Sequence, residues 1–240
     1  MANGAAKATT LASSVFEQLR EAILTGAIAP GEKLKTEILR KTYDAGLSPV
    51  REALNRLVAE GLVVQQDQRG FYVSTVSTDE LDDITRTRCL IGEFALRAAI
   101  AKGGPDWEEG IVVAFHRFDR YLGQKFVGPS VDFQDRSNCH RAFHTSLLAA
   151  CGSLRLLSFW HTLFDQAQRY QSLFLERSPG QRDPRREHRE LMEAVLDRDV
   201  ERAVELHNAH IQRTVELVTP AFDKAEKPTR PLRRRPSAEL

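Results

Sequence analysis

From Ser77 to about residue 222 the apolar side chains recur every three or four positions, and only glycine, proline and capping residues interrupt the pattern. A stretch of this kind can bury its apolar stripes only by packing helix on helix. Ser77-Thr78-Asp79-Glu80 reads as a capping box for a long helix that runs to about Ala101, where Gly103-Gly104-Pro105 stops it. Further helices are expected over residues 106–124, 131–151, 153–177, 184–197 and 200–221. Asp183-Pro184 opens the helix at 184, and Asp199 caps the last one.

Residues 11–75 are organised differently. Val15, Leu19 and Ile23 recur at a four-residue spacing, Phe16 widens their face, and Gly26 suits a C-cap, so a helix is expected over about 12–25. Pro30-Gly31 marks a turn, and Thr36 can cap a short second helix ending near Tyr43. After a turn at Asp44-Ala45-Gly46-Leu47, Ser48 is expected as N-cap and Pro49 as the first residue of a third helix. Val50, Leu54, Leu57 and Val58 would face inward on it, and Gly61 would end it. Leu62–Gln65 and Phe71–Ser74 read as strands, joined into a hairpin by the polar turn Gln66–Gly70. Three helices and a hairpin in about 65 residues make a winged helix-turn-helix. The expected fold class is therefore mostly α: an N-terminal winged helix-turn-helix domain over residues 11–75, then an all-α bundle over 77–222. An Ala/Gly/Thr-rich arm (1–10) and a Pro- and Arg-rich tail (223–240) are expected to be disordered.

The net charge of +1 is too small to argue for nucleic acid from bulk electrostatics, and between residues 11 and 75 eight Lys/Arg balance eight Asp/Glu. Any DNA contact must come from a local surface. Three widely spaced cysteines (Cys89, Cys139, Cys151) support neither a zinc ribbon nor a disulfide framework. The N-terminus has no apolar segment resembling a secretory signal, and no apolar run approaches the roughly 18–20 residues that span a bilayer. A cytoplasmic protein with no membrane partner is the expectation.

On the third helix Arg51 and Asn55 form an i,i+4 pair on the side away from Leu54 and Leu57. Arg51 could read a guanine edge bidentately, and Asn55 could read adenine or bind a phosphate. Lys35, Arg40 and Lys41 could hold phosphates, with Ser48 and Pro49 at the start of the recognition helix. Arg69-Gly70 at the hairpin tip could enter the adjacent minor groove. Residue chemistry alone leaves open a merely solvated helix face, because Arg51 stands next to Glu52.

The runs Leu19–Gly26, Pro30–Leu34, Pro49–Leu57, Glu60–Val63 and Arg69–Val73 together resemble the DNA-binding half of the GntR family of bacterial repressors, over the whole of the first 75 residues. The resemblance implies operator binding by double-stranded, pseudo-palindromic DNA contacts from a homodimer, with Arg51 matching a DNA-contacting arginine. It also marks a departure: many members carry Arg where this chain has Leu47.

The remainder is similar to the C-terminal (FCD-type) domain of the FadR subfamily, a bundle of six or seven helices. The match is carried by Arg88–Ala99, Phe143–Leu147, and Glu187-His188 followed by Ala203 and His210. His140 and His144 share one helix face by their i,i+4 spacing. If the helices bearing His188 and His210 converge on them, imidazoles meet inside the bundle and could hold a divalent metal, zinc or nickel. The resemblance implies one Asp and three His as ligands. His144, His188 and His210 match the histidines, but position 140 carries His instead of Asp, which removes a formal negative charge. The alternative is a set of hydrogen-bonded histidines lining a ligand cavity without metal. His207 lies one turn from His210 as a weaker substitute, and His116 and His161 match nothing.

The resemblance also implies that Arg88 faces the cavity and binds a carboxylate, an interhelical salt bridge being the alternative. Arg169 and Tyr170 could add a second anion contact. The segments around Arg88, Arg69–Tyr72 and Phe164–Tyr170 look most like the carbon-starvation-induced, glutarate-responsive repressors of the subfamily, which points to a small organic acid, such as a dicarboxylate, as effector. Two rival classes stay open at this stage. One is a metal-dependent hydrolase using the His cluster, although no His-Glu-x-x-His, Gly-x-Ser-x-Gly or phosphate-binding glycine loop is present. The other is an architectural DNA-binding dimer without an effector.

Overall fold

The computed structural model describes residues 10–122, 131–174 and 183–226. The expected arm, apart from Thr10, and the expected tail from residue 227 lie outside these. Residues 223–226, expected in the tail, are instead the last turn of a helix.

The N-terminal domain is α1 (Leu11–Leu24), β1 (Lys33–Leu34), α2 (Thr36–Thr42), α3 (Leu47–Ala59), β2 (Val63–Gln66) and β3 (Gly70–Val73). Thr10 caps α1 by accepting from the Ser13 amide at 3.2 Å. Val15, Leu19 and Ile23 of α1 bury against Val50, Leu54 and Leu57 of α3, as the spacing predicts. The wing has three strands in the order β1-β3-β2, all antiparallel, with Lys33 opposite Tyr72 and Val63 opposite Val73. The two-residue β1 is too short to carry an alternation, so only the hairpin is visible in the sequence.

Two helix starts differ from expectation. α3 begins at Leu47 with Gly46 as N-cap, so Ser48 and Pro49 lie inside the first turn. Pro49 is tolerated there because the first intrahelical bond comes from Val50, whose amide donates to the Gly46 carbonyl at 3.4 Å. α2 takes Lys35 as N-cap, and Thr36 is its first helical residue.

The C-terminal domain consists of α4 (Thr78–Lys102), α5 (Pro105–Asp119), α6 (Val131–Leu148), a 3-10 turn (Ala149–Cys151), α7 (Leu154–Phe174), α8 (Pro184–Leu196) and α9 (Val200–Glu226). Ser77 caps α4 and Asp183 caps α8, each by accepting an amide at 3.1 Å. The core gathers Leu96, Ile111, Phe115, Phe143, Leu147, Trp160 and Leu191 from α4 to α8.

α7 belongs to both domains. Its Ala167 and Tyr170 pack with Leu81 and Ile84 of α4 and Val215 and Val218 of α9. Its other side meets the DNA-binding domain at the C-terminal ends of α1 and α3. Gly26 and Gly61 stand there at φ +76° and +73°, and a Cβ on either would lie 2.6 Å from Leu173 or Gln166. The left-handed backbone favours glycine at both positions, and a Cβ there would also have to displace the ends of the Leu173 and Gln166 side chains.

Candidate metal and effector centre, and the DNA-binding face

α6, α8 and α9 bring four histidines to one point inside the bundle. The ligand atoms of His140, His144, His188 and His210 all lie within 4.8 Å of one another. His140 Nε2 is 2.9 Å from His144 Nε2 and 3.1 Å from His188 Nε2, and the last two are 3.3 Å apart. Nitrogens that share an ion at about 2.0–2.1 Å sit about 2.9–3.4 Å apart when adjacent, so the spacing of the His140, His144 and His188 nitrogens suits a divalent metal, with His210 close enough to complete the set by a small shift.

The outer nitrogens of His188 and His210 are already committed. His188 Nδ1 donates to the Pro184 carbonyl at 2.6 Å, and His210 Nδ1 donates to Glu187 Oε2 at 3.1 Å. A neutral imidazole that donates from Nδ1 presents a bare Nε2 to the centre, which is the tautomer a metal needs. Burial first, then the neighbouring His140 and His188, push the pKa of His144 well below the usual histidine range. The same side chains that repel a proton would suit a metal, which could draw on their lone pairs together. Glu187 also faces Arg213 Nη1 at 3.4 Å and lines an open surface groove of about 560 Å³ with Asp183, Arg186, Glu190, Glu216 and Leu217.

Aromatic rings wall the cluster. Phe118 lies 4.9 Å from both His140 and His188, and Phe164 lies 5.5 Å from His140 and 5.9 Å from His144. Arg88 of α4 stacks its guanidinium over Phe164 at 5.4 Å. The Arg88 side chain is buried, its Nε has no hydrogen-bond partner, and desolvation lowers its pKa to about 10. A guanidinium in this state is a receiver for an anion. The interhelical salt bridge weighed as an alternative for Arg88 is absent among the described residues.

His207 completes this side. It is buried, its Nδ1 meets Asn208 Oδ1 at 3.2 Å, and a Cβ on Gly92 would lie 2.2 Å from its ring. Gly92 follows Arg88 by one turn of α4, so the missing side chain makes room for an imidazole beside the guanidinium. A glycine in mid-helix was the sequence signal for this contact.

Arg169 and Tyr170 have a different use from the one expected. Arg169 donates from Nη2 to the Ser74 carbonyl. The Tyr170 hydroxyl donates to Glu80 and accepts from the Ser77 amide at 3.1 Å. Both therefore tie α7 to the segment between the wing and α4. Arg169 Nη2 and the Tyr170 hydroxyl are taken by segment ends that only tertiary packing brings near, while Arg169 Nε is buried without a hydrogen-bond partner.

The joint also contains a buried ion network that the sequence did not reveal. Asp165 of α7 pairs with Arg20 of α1 and, at 3.1 Å, with Arg141 of α6. Arg20 reaches Glu60 at 3.3 Å, and Gln166 Nε2 donates to the Glu60 carbonyl at 2.9 Å. Asp165 follows Phe164, which touches the histidines, and Arg141 follows His140, which is one of them.

On the other face of the N-terminal domain Arg51, Asn55, Ser48, Lys35, Lys41 and Arg69 are exposed, with Pro49 and Gly70 half-buried beside them. Arg40 is half-buried and held by Glu37 at 3.2 Å. Arg51 and Asn55 project from α3 on the side away from its buried Leu54 and Leu57.

Residues 11–73 match the family of bacterial regulatory proteins called gntR, and residues 83–213 match the FCD domain. The chain is 35% identical over 211 residues to the HTH-type transcriptional repressor GlaR of Escherichia coli, covering 86% of this chain and 95% of that one. This chain belongs to the GntR family.

Identity is 34% over 213 residues to the uncharacterized HTH-type regulator BphR of Paraburkholderia xenovorans, covering 89% of this chain and 87% of BphR. Among solved structures, Escherichia coli McbR/YncC shares the fold of this GntR regulator with a TM-score of 0.74 at 20% identity, over 89% of this chain and 99% of that one. A putative GntR regulator from Rhodococcus sp. RHA1 does so with a TM-score of 0.70 at 19% identity, over 88% of this chain and 98% of that one. The protein is thus a DNA-binding transcription regulator with an FCD-type effector domain, and the hydrolase alternative is set aside. No helix among the described residues is long and apolar enough to cross a membrane.

Proposed function

We propose that this GntR regulator is a homodimeric repressor that releases a pseudo-palindromic operator when a small organic acid binds inside its helical bundle, beside a divalent metal held by His140, His144, His188 and His210. The observation that carries the reading is Arg88, a buried guanidinium with an unpaired Nε that lies over Phe164 at 5.4 Å, the ring that stands 5.5 Å from His140 of the cluster. A metal at the histidines would supply an electropositive centre for a carboxylate oxygen. Arg88 binds and orients the acid, while Phe118, Phe164 and Trp160 exclude water.

Arg51 and Asn55 read base edges in the major groove, Lys35, Arg40, Lys41 and Ser48 hold phosphates, and Arg69-Gly70 reaches the minor groove. Leu90 and Phe94, one turn apart on α4 and 71% and 67% exposed, form an apolar stripe that suits a second copy of the chain. The acid acts by its different affinity for two arrangements of the domains. Its route to DNA is the α7 joint, where Phe164 and Asp165 are consecutive.

The test uses a fluorescent duplex recovered by binding-site selection. Short organic acids with zinc or nickel should lower the anisotropy of the wild-type complex. Arg88→Met should bind the duplex as well as wild type and no longer release it. Release unchanged in Arg88→Met would overturn the effector reading.

A further inference from the structure

The first residue of α3 is a large apolar side chain left in solvent. Leu47 is 43% exposed and lies outside the core that takes Val50, Leu54 and Leu57 of the same helix. It stands four residues before Arg51 and eight before Asn55, and all three are exposed. Residues at that spacing share one helix face, so the three form a single outward stripe with its apolar member at the N-terminal end. A lone exposed leucine is ordinary on a protein surface. This one occupies the end of the recognition helix whose side chains meet base edges in a helix-turn-helix.

The chemistry of the major groove limits what Leu47 can meet there. Its side chain neither donates nor accepts a hydrogen bond. Against guanine it would cover N7 and O6, and against cytosine or adenine the exocyclic amino group, leaving each without water or partner at a cost. Thymine is the base that presents an apolar group in this groove, its 5-methyl. Packing leucine on that methyl removes apolar surface from water on both sides and is worth about fourfold in affinity. Arg51 lies about 6 Å further along the helix, a distance of no more than about two base-pair steps.

We propose that Leu47 is a specificity-determining residue of this regulator, which packs on the 5-methyl group of a thymine in each operator half-site, within about two base pairs of the one that Arg51 reads. The inference rests on α3 being the recognition helix. It gives a use to the position at which this sequence departs from the arginine of many family members. An apolar reader of thymine stands where a guanidinium would favour guanine or a phosphate.

The experiment starts from the duplex that binding-site selection recovers with the full wild-type chain. Deoxyuridine, which differs from thymidine only in lacking the methyl, replaces each thymine of one half-site in turn, on both strands. Fluorescence anisotropy reads the dissociation constants. One replacement should weaken wild-type binding about fourfold. The same replacement should change the binding of Leu47→Ala by less than about 1.5-fold, because the partner of the methyl is gone. Selection with Leu47→Arg should exchange thymine for guanine at that position. Leu47 is exposed, so both variants should fold as the wild type does, which helical circular dichroism checks.

Three outcomes would each overturn the proposal: no thymine whose methyl matters, a methyl effect as large in Leu47→Ala as in wild type, or a Leu47→Arg consensus identical to that of the wild type. Where Arg51→Ala still relaxes the selected sequence, α3 stands as the recognition helix without a role for Leu47. Where the Leu47 and Arg51 variants all select the wild-type sequence, the recognition-helix reading falls, and the proposal with it.

Discussion

Asp165 of α7 forms an ion pair with Arg20 of α1, and the two residues belong to different domains. Asp165 also pairs with Arg141, so one carboxylate with side-chain exposure of 9% serves two guanidinium groups. Removing one partner of such a network strands the others. Asp165→Asn is expected to lower stability by about 3–5 kcal/mol. Two thermal transitions should replace a single one as the domains unlock. Calorimetry with the operator-release assay checks this: a single transition at the wild-type temperature with normal release would remove Asp165 from the coupling route.

Arg51→Ala tests the recognition face. Arg51 is exposed on α3, so its loss should leave folding intact. Operator binding should weaken by about 1–3 kcal/mol and specificity should relax at one base pair. Binding-site selection repeated with the variant reads both effects. An unchanged consensus would mean that α3 does not read the groove through this residue.

Gly92→Ala should reverse the usual sign of a helical glycine substitution. In an open helix the change stabilises by roughly 0.5–1 kcal/mol. Here the new methyl would lie 2.2 Å from the His207 ring, so α4 and α9 must part. A net loss of about 1–3 kcal/mol is expected in urea unfolding, from overpacking. A gain would show that His207 does not pack on α4 as described.

The metal-free protein should lose stability as the pH falls from about 6.5 toward 4. Burial lowers the pKa of His207 to about 4, below its unfolded value near 6.5. Between those values the unfolded chain binds a proton that the folded chain refuses, so stability is full above the window and falls through it. His207 contributes about 3 kcal/mol to this loss. His144, shifted in the same direction, steepens it. In His207→Gln, the slope of unfolding free energy against pH should be shallower by about one proton. An unchanged slope would place the sensitivity elsewhere.

Leu90→Glu with Phe94→Glu should convert a dimer to a monomer in sedimentation at micromolar concentration while the helical circular dichroism persists. Both side chains are more than half exposed in the single chain, so the change costs the isolated fold little. A dimer that survives both charges would move the two-fold contact to another face.

Much of this architecture was legible in the sequence because its signals are local. Val15, Leu19 and Ile23 announce α1, Ser77 and Asp183 announce helix starts, and the i,i+4 spacing puts His140 and His144 on one face. Where local signals compete, the reading slipped by one or two residues. Ser48-Pro49 has the chemistry of a helix start, yet α3 starts at Leu47 because the turn at Gly46 already supplies the extended residue.

Sequence periodicity sets which residues lie on a helix and which face they share, since those depend on backbone geometry within a few residues. It also supplied the four histidines as candidates. Their convergence was decided only when α6, α8 and α9 packed together, and the same is true of Glu187 behind His210 and His207 against Gly92. Arg169 and Tyr170 show the limit most clearly: their chemistry suits an anion, but packing delivers them to Ser74, Ser77 and Glu80. A side chain's type fixes what it can bind, and long-range contacts fix what it meets.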